Sequence, residues 1–274
     1  MGKRILVSLA HPDDESFGSG PLIAKYVAEG AEVMLICATS GDVGTADEKF
    51  VKGFSSIAEM RLAELDCAAK VLGFKEVILF GYRDSGMMGS ADNQHPDSLW
   101  QAPLEQVTAK VLEVMQRVRP QVVLTFDPYG GYGHPDHIKV HQATLAAFKA
   151  MQRDTPQKLY YLTIPRLMVR VGLMMLRLMR RDPRKFGRNQ DMDMLAVYEH
   201  ILPVHTRINV GPYLEIGAKA AACHASQMDA PSNNALVQAL SRVFAATTYL
   251  TRVYPEPRPN MPMERDLFEG VTIS

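Results

Sequence analysis

The sequence predicts an α/β fold: a Rossmann-like, mostly parallel sheet with helices on both faces. Three observations predict it. Apolar runs of strand length alternate with helical patterns through the first half of the 274 residues. Two polar motifs rich in His and Asp fall where such a run ends and a helix begins, the edge at which open parallel sheets collect their chemistry. With 47% hydrophobic and 22% charged residues, the chain can bury a core and is not a disordered one.

In order, Ile5 to Ala10 reads as a buried strand and Leu22 to Glu29 as part of the helix after it. Glu32 to Thr39 is the next strand, followed by a loop rich in Gly and Asp from Ser40 to Asp47. Ile57 to Leu72 has helical spacing and stops at Gly73. Val77 to Phe80 is a short strand, Leu104 to Arg119 a helix, and Gln121 to Phe126 a strand ended by Asp127-Pro128. Alternation of this kind implies right-handed crossovers and a sheet covered on both faces. Further on, His137 to Met151 reads as a helix, Lys158 to Thr163 as a strand and Arg166 to Arg181 as a helix. Ile201 to Val210 looks extended, Tyr213 to Gln227 helical, and the proline-rich tail from Tyr254 to Pro262 is expected to wrap the surface. Residues 1–274 therefore read as a single domain, with an α/β core over 1–163 and a less regular C-terminal portion over 164–274.

Lys+Arg and Asp+Glu both number 30, so global charge gives no reason to expect a nucleic-acid partner. The N-terminal apolar stretch is too short for a signal sequence and ends in charges, and no run of membrane-spanning length follows. Cys37, Cys67 and Cys223 lie far apart with no C-x-x-C, a pattern that suits a reducing cytoplasm and argues against thiolate zinc. The chain is thus expected in the cytoplasm.

The first motif is His11-Pro12-Asp13-Asp14-Glu15. A divalent ion such as zinc takes imidazole nitrogen and carboxylate oxygen, and a catalytic site leaves a position for water. His11 and Asp14, three apart across a turn, can face one ion, which leaves Asp13 free to act as a base. A bland reading has Asp capping a helix and His on a loop. The second motif is Asp127-Pro128-Tyr129-Gly130-Gly131-Tyr132-Gly133-His134-Pro135-Asp136-His137, whose glycines let backbone approach a ligand closely. Its two histidines can divide their work, one on metal and one on substrate. His95-Pro96-Asp97 repeats the tripeptide without a strand before it and reads as loop.

These two motifs resemble those of the LmbE-like, or PIG-L, N-acetylglucosaminyl deacetylases. Thr39-Ser40-Gly41, Arg61 to Gly73 and Lys219 to Gln227 extend the resemblance over most of the chain, leaving out Arg166 to Asp193. Tyr82-Arg83-Asp84-Ser85-Gly86-Met87 is most similar to the branch that deacetylates the N-acetylglucosaminyl-inositol precursor of mycothiol. The resemblance implies His11, Asp14 and His137 as ligands of a divalent metal, zinc first and iron(II) or another ion as alternatives. It implies Asp13 as general base, His134 as general acid or oxyanion stabiliser oriented by Asp136, and Tyr132 as a second oxyanion donor. Arg61 and Asp84 are expected to contact the hydroxyls of a small N-acetylated sugar conjugate, and His224 either approaches the pocket or caps local structure. A related amidase acting on a thiol conjugate, chitin fragment or antibiotic would use the same chemistry. A nucleotide-binding module would need a G-x-G-x-x-G turn after the first strand, and Ser16-Phe17-Gly18-Ser19-Gly20 lacks it.

The segment 166–188 stands outside these motifs. On a helical wheel Arg166, Arg170, Arg177, Arg180 and Arg181 form one stripe and the remaining arc is Leu, Val and Met. Arg184, Lys185 and Arg188 bring the basic residues to eight against Asp182 alone, a local excess of seven positive charges. One expectation is burial of the apolar arc in its own or a partner subunit, giving a homo-oligomer. The other is an interfacial helix or lid that meets a membrane or an anionic substrate.

Overall fold

The computed structural model describes residues 2–151, 155–187, 189–228 and 242–273. Five strands form the parallel part of one sheet: β1 (Arg4–Leu9), β2 (Glu32–Thr39), β3 (Glu76–Tyr82), β4 (Val122–Thr125) and β5 (Lys158–Thr163). β6 (Thr206–Asn209) and β7 (Thr247–Tyr254) complete it, with β7 antiparallel to both β5 and β6. The spatial order is β3-β2-β1-β4-β5-β7-β6, so strand order reverses between β1 and β4. At such a reversal the loops leaving two adjacent strands diverge to opposite faces and open a crevice. One motif follows β1 and the other follows β4.

The helices are α1 (Gly20–Ala28), α2 (Glu48–Val51), α3 (Ile57–Leu72), α4 (Leu104–Val118), the distorted turn α5 (Gly130–Gly133), α6 (Pro135–Ala150), α7 (Arg166–Leu178), α8 (Met194–His200) and α9 (Leu214–Cys223). α3 shows how closely local chemistry sets limits. Ser56 caps it by accepting the Glu59 N–H at 3.1 Å, and Gly73 ends it at φ 78°, where a side chain would be strained. The core is the sheet itself, with β1, β2 and β4 almost wholly buried between the helical layers.

Four sequence expectations change. α2, α8 and β7 were not expected: α2 and α8 are short, and β7 carries Arg252 buried within an ion-pair cluster, which reads as surface in sequence. The expected extended segment 201–210 narrows to β6. Cys67 and Cys223 form a disulfide, against the expectation of unpaired thiols, because α3 and α9 pack side by side and bring the two Cα atoms to 5.8 Å. Finally, α7 does not bury its apolar arc within its own subunit: Val169 and Leu173 are buried, whereas Leu167, Val171, Met174, Met175 and Leu178 are exposed. Arg180 and Arg181 lie beyond its end, and Arg188 lies outside the described residues. Among the described residues no helix is long and apolar enough to cross a membrane.

Candidate active site

The turn after β1 is built around two carboxylates. Asp14 Oδ2 accepts the backbone N–H of His11 at 2.7 Å and of Ala10 at 3.2 Å, which fixes its carboxylate under the His11 ring. Asp13 takes φ 115°, a strained value for a residue with a Cβ. Its N–H donates to Glu15 Oε2 at 2.9 Å and its own Oδ2 accepts from Arg61 Nη2 at 2.9 Å. After β4, Asp127 Oδ1 accepts the N–H groups of Tyr129 and Gly131, and Gly130 and Gly131 adopt φ 69° and 72°. A Cβ on Gly130 would lie 2.8 Å from that of His137, so this glycine is required by close approach as well as by φ. His134 caps α6, its Nδ1 accepting the Asp136 N–H at 3.2 Å, and Pro135 occupies the first helical turn.

Three donor groups converge. His11 Nδ1 and His137 Nε2 are 3.1 Å apart, and Asp14 places one oxygen 3.4 Å from His137 Nε2 and the other 3.6 Å from His11 Nδ1. Each histidine's second nitrogen faces an oxygen: His137 Nδ1 meets Gly130 O at 3.0 Å, and His11 Nε2 meets Asp136 Oδ2 at 3.2 Å and Asp84 Oδ1 at 3.6 Å. With the protons directed there, two imidazole lone pairs and a carboxylate point at one spot. That arrangement is repulsive unless a cation stands between them. Ligands about 2.1 Å from a tetrahedral zinc ion are separated by roughly 3.4 Å, so the donor set fits such an ion. Oxygen partners on the outer nitrogens are what orient metal-binding histidines. The ring nitrogens of His11, His134 and His137 also lie within 4.8 Å of one another, which makes His134 a second candidate for the set.

The same groups perturb one another's titration. Burial opposes charging His11, but the Asp84, Asp136 and Asp14 carboxylates outweigh it and raise the group well above the usual histidine range, so a second proton on this ring holds the place that a bound cation would take from it. Burial likewise acts against the Asp14 carboxylate, yet His137 and His11 hold it well below its ordinary value. Burial pushes Asp13 up to about 7, with Arg61 opposing and Asp14 adding to the rise. Burial together with His11 and His137 keeps His134 neutral far below its ordinary value. The Tyr132 phenol is raised by burial and stays protonated. Its ring stands edge-on to His137, 5.0 Å between centroids.

Of the remaining expected residues, Asp136 is placed differently from the sequence reading. Asp136 does not present its carboxylate to His134. It holds His11 and accepts both the N–H and the hydroxyl of Ser85, while the carboxylate nearest His134 Nε2 is that of Asp84 at 4.0 Å. Arg61 is buried, its guanidinium donating to Asp13, Pro12 O and Gly41 O, and it lines the cavity beside Asp13. Asp84 is buried against the two histidines. His224 has no exposed surface and binds Glu15 Oε1 at 2.7 Å, in keeping with the local structural role expected as one of its two alternatives. His95 is exposed on a loop, as expected. Glu15, Ser85 and Asp127 all lie inside the motifs without a role there: the partners of Glu15 and Ser85 are distant in sequence, and those of Asp127 are backbone N–H groups. His11, Asp13, Arg61, Asp84, Tyr132 and His134 border one cavity, which Phe186, Asn189 and Met192 also line.

One chemistry employs all these parts: a cation polarises a carbonyl, a carboxylate poised near neutrality takes a proton from water, and neutral donors meet the charge that develops. Fold and site thus define a metal-assisted hydrolase. The chain belongs to the PIG-L family of GlcNAc-PI de-N-acetylases, whose sequence model matches residues 6–148, and it is a hydrolase of amide C–N bonds. A 1D-myo-inositol 2-acetamido-2-deoxy-alpha-D-glucopyranoside deacetylase of Streptomyces scabiei is 35% identical, the match covering 99% of this chain and 90% of the relative. The enzyme of the same description from Thermobifida fusca is 34% identical over 97% of this chain and 99% of its own length. Among solved structures, N,N'-diacetylchitobiose deacetylase from Pyrococcus horikoshii superposes with a TM-score of 0.56 at 19% identity, covering 92% of this chain and 84% of that one. The 4-carboxy-2-hydroxymuconate hydratase GalB of Pseudomonas putida gives 0.58 at 19% identity, covering 95% and 100%. A hydratase and a deacetylase therefore share this fold, and the chemistry is argued from the site.

Proposed function

We propose that this chain removes the acetyl group from an N-acetylglucosaminyl inositol, yielding acetate and the free amine. In this reading residues 1–274 work as one catalytic domain. His11, Asp14 and His137 hold a divalent ion, zinc before iron(II). The observation that carries the proposal is the convergence of two imidazole lone pairs and the Asp14 carboxylate beside a base near neutrality. When bound, the ion supplies Lewis acidity that polarises the acetamide carbonyl and acidifies water.

The chain's own groups do the rest. Asp13, steadied by Arg61 and by its N–H on Glu15, takes the proton of the attacking water. His134 has its Nδ1 engaged by the Asp136 N–H, so its proton sits on Nε2 and faces the cavity. Tyr132 O–H and His134 Nε2–H donate to the developing oxyanion, each donor worth about 3 kcal/mol in sites of this kind. The proton that Asp13 took from water then passes to the departing amine, which returns Asp13 to its carboxylate as acetate forms, while His134 stays neutral as an oxyanion donor.

The inositol aglycone rests on the activity of relatives that align over nearly the whole chain. In this reading the enzyme works in the cytoplasm. Acetate release from N-acetylglucosaminyl inositol, free N-acetylglucosamine and N,N'-diacetylchitobiose tests the substrate. The inositol conjugate should be turned over fastest; equal rates on the free sugar would remove the aglycone from the account, and no acetate from any of them would remove the deacetylase.

A further inference from the structure

We propose that α7 is a docking surface for a bilayer bearing anionic lipids. Its outward face repeats apolar residues at Leu167, Val171, Met174 and Leu178, a spacing of four, three and four that makes one continuous stripe, with Met175 beside it. Leu178 is 76% and Leu167 65% exposed, values that a helix packed on its own domain does not show at apolar positions. Val169 and Leu173, on the opposite side, anchor the helix to the body of the protein. The stripe is therefore presented outward, and is not a core face left half-packed.

Charge decides what covers it. Arg166, Arg170 and Arg177 run along one edge of the stripe, and Arg180, Arg181, Arg184 and Lys185 follow beyond its end, all exposed. Among the described residues only Arg184 of these meets a carboxylate, Asp193 at 4.0 Å, while Arg166 lies over the Tyr198 ring. Long basic side chains beside apolar ones can reach phosphate while the stripe enters the boundary between headgroups and acyl chains. The flexible thioethers of Met174 and Met175 suit an irregular apolar surface. A second copy is a poorer occupant, because α7 contains no Asp or Glu to meet these arginines. An antiparallel pair would also set the two arginine edges side by side. The rest of the neutral chain carries seven excess negative charges, so an anionic surface draws in this end and repels the remainder.

The placement bears on the site. From α7 the chain runs on to Phe186, Asn189 and Met192, which line the catalytic cavity, and Phe186 is itself exposed.

Co-sedimentation of the full chain with phosphatidylcholine vesicles, with and without phosphatidylglycerol, tests the proposal. Binding is expected only with phosphatidylglycerol, falling as salt is raised. Arg170→Glu/Arg177→Glu should weaken partitioning about tenfold or more, and Leu167→Asp/Leu178→Asp should abolish it. Both variants should keep wild-type acetate release from a water-soluble substrate, which shows that they fold. No sedimentation with anionic vesicles, or undiminished sedimentation of the charge-reversed variant, overturns the proposal. So does a salt-resistant dimer that Leu167→Asp/Leu178→Asp separates, since a second copy would then cover the stripe.

Discussion

Asp13 and Asp14 are neighbours in sequence with opposite surroundings. Asp14 receives two backbone N–H groups and faces two histidines, so it is held as a carboxylate; Asp13, strained and buried, is pushed up to about 7. Asp13→Asn should therefore retain the metal and lower kcat by about a hundredfold or more, whereas Asp14→Ala should lose the metal itself. Metal analysis beside initial rates separates the two, and wild-type turnover by Asp13→Asn would end its role as base. Behind Asp13 stands a fully buried pair, Glu15 and His224, with Glu15 Oε2 taking the Asp13 N–H. His224→Ala leaves Glu15 without its partner and should cost about 3 kcal/mol of stability. In the folded fraction kcat should fall more than KM rises, as expected when a base is displaced and not when a substrate contact is lost; a rise in KM alone would restore His224 as a substrate residue. The proposed metal donors were legible in the sequence because each motif gathers its His and Asp residues in the stretch that follows a strand. Their supports were not: Ser85 and Asp136 are 51 positions apart, and Glu15 and His224 are 209 apart. Hydrogen bonds that span such distances leave no local pattern.

At the scale of elements, local signals served where one residue type closes a helix or one hydrophobic run fills a strand. β2, α3 and β5 begin and end where the periodicity and Gly73 predict. The antiparallel edge was opaque because β7 owes its place to polar contacts. Glu264 is buried among Lys158 and Tyr160 of β5, Arg252 of β7 and Thr206 of β6, and it binds all four. Burial alone would raise this carboxyl, but the hydrogen bonds from Lys158, Thr206, Tyr160 and Arg252 outweigh it and lower it. A carboxyl lowered in the folded state stabilises above its ordinary titration range, and that stability disappears as pH falls through the folded value. Glu264→Gln should lower unfolding stability by about 3 kcal/mol at neutral pH. The gap from wild type should narrow in acid, and a gap that stays constant from neutral pH into acid would refute the clasp. In the loop before α6, Gly130→Ala should push His137 off its position and reduce metal affinity; unchanged affinity would show that the close approach to His137 is not required.

At the scale of the whole molecule, the reversal of strand order between β1 and β4 makes two separated motifs into one site. A sequence reader can place both at strand ends, but that the strands are adjacent is a property of topology alone. The Cys67–Cys223 bridge has the same character: it ties α3, which carries Arg61, to the end of α9, next to His224, and therefore joins two of the elements that position Asp13. The central claim is that His11, Asp14 and His137 hold the ion on which amide hydrolysis depends. The most direct measurement strips the protein with a chelator, restores zinc in steps, and follows bound metal and acetate release in the same preparation. Activity should vanish with the metal and return in proportion to its rebinding, with His11→Ala and His137→Ala recovering neither. Full acetate release from the metal-free protein would contradict the account.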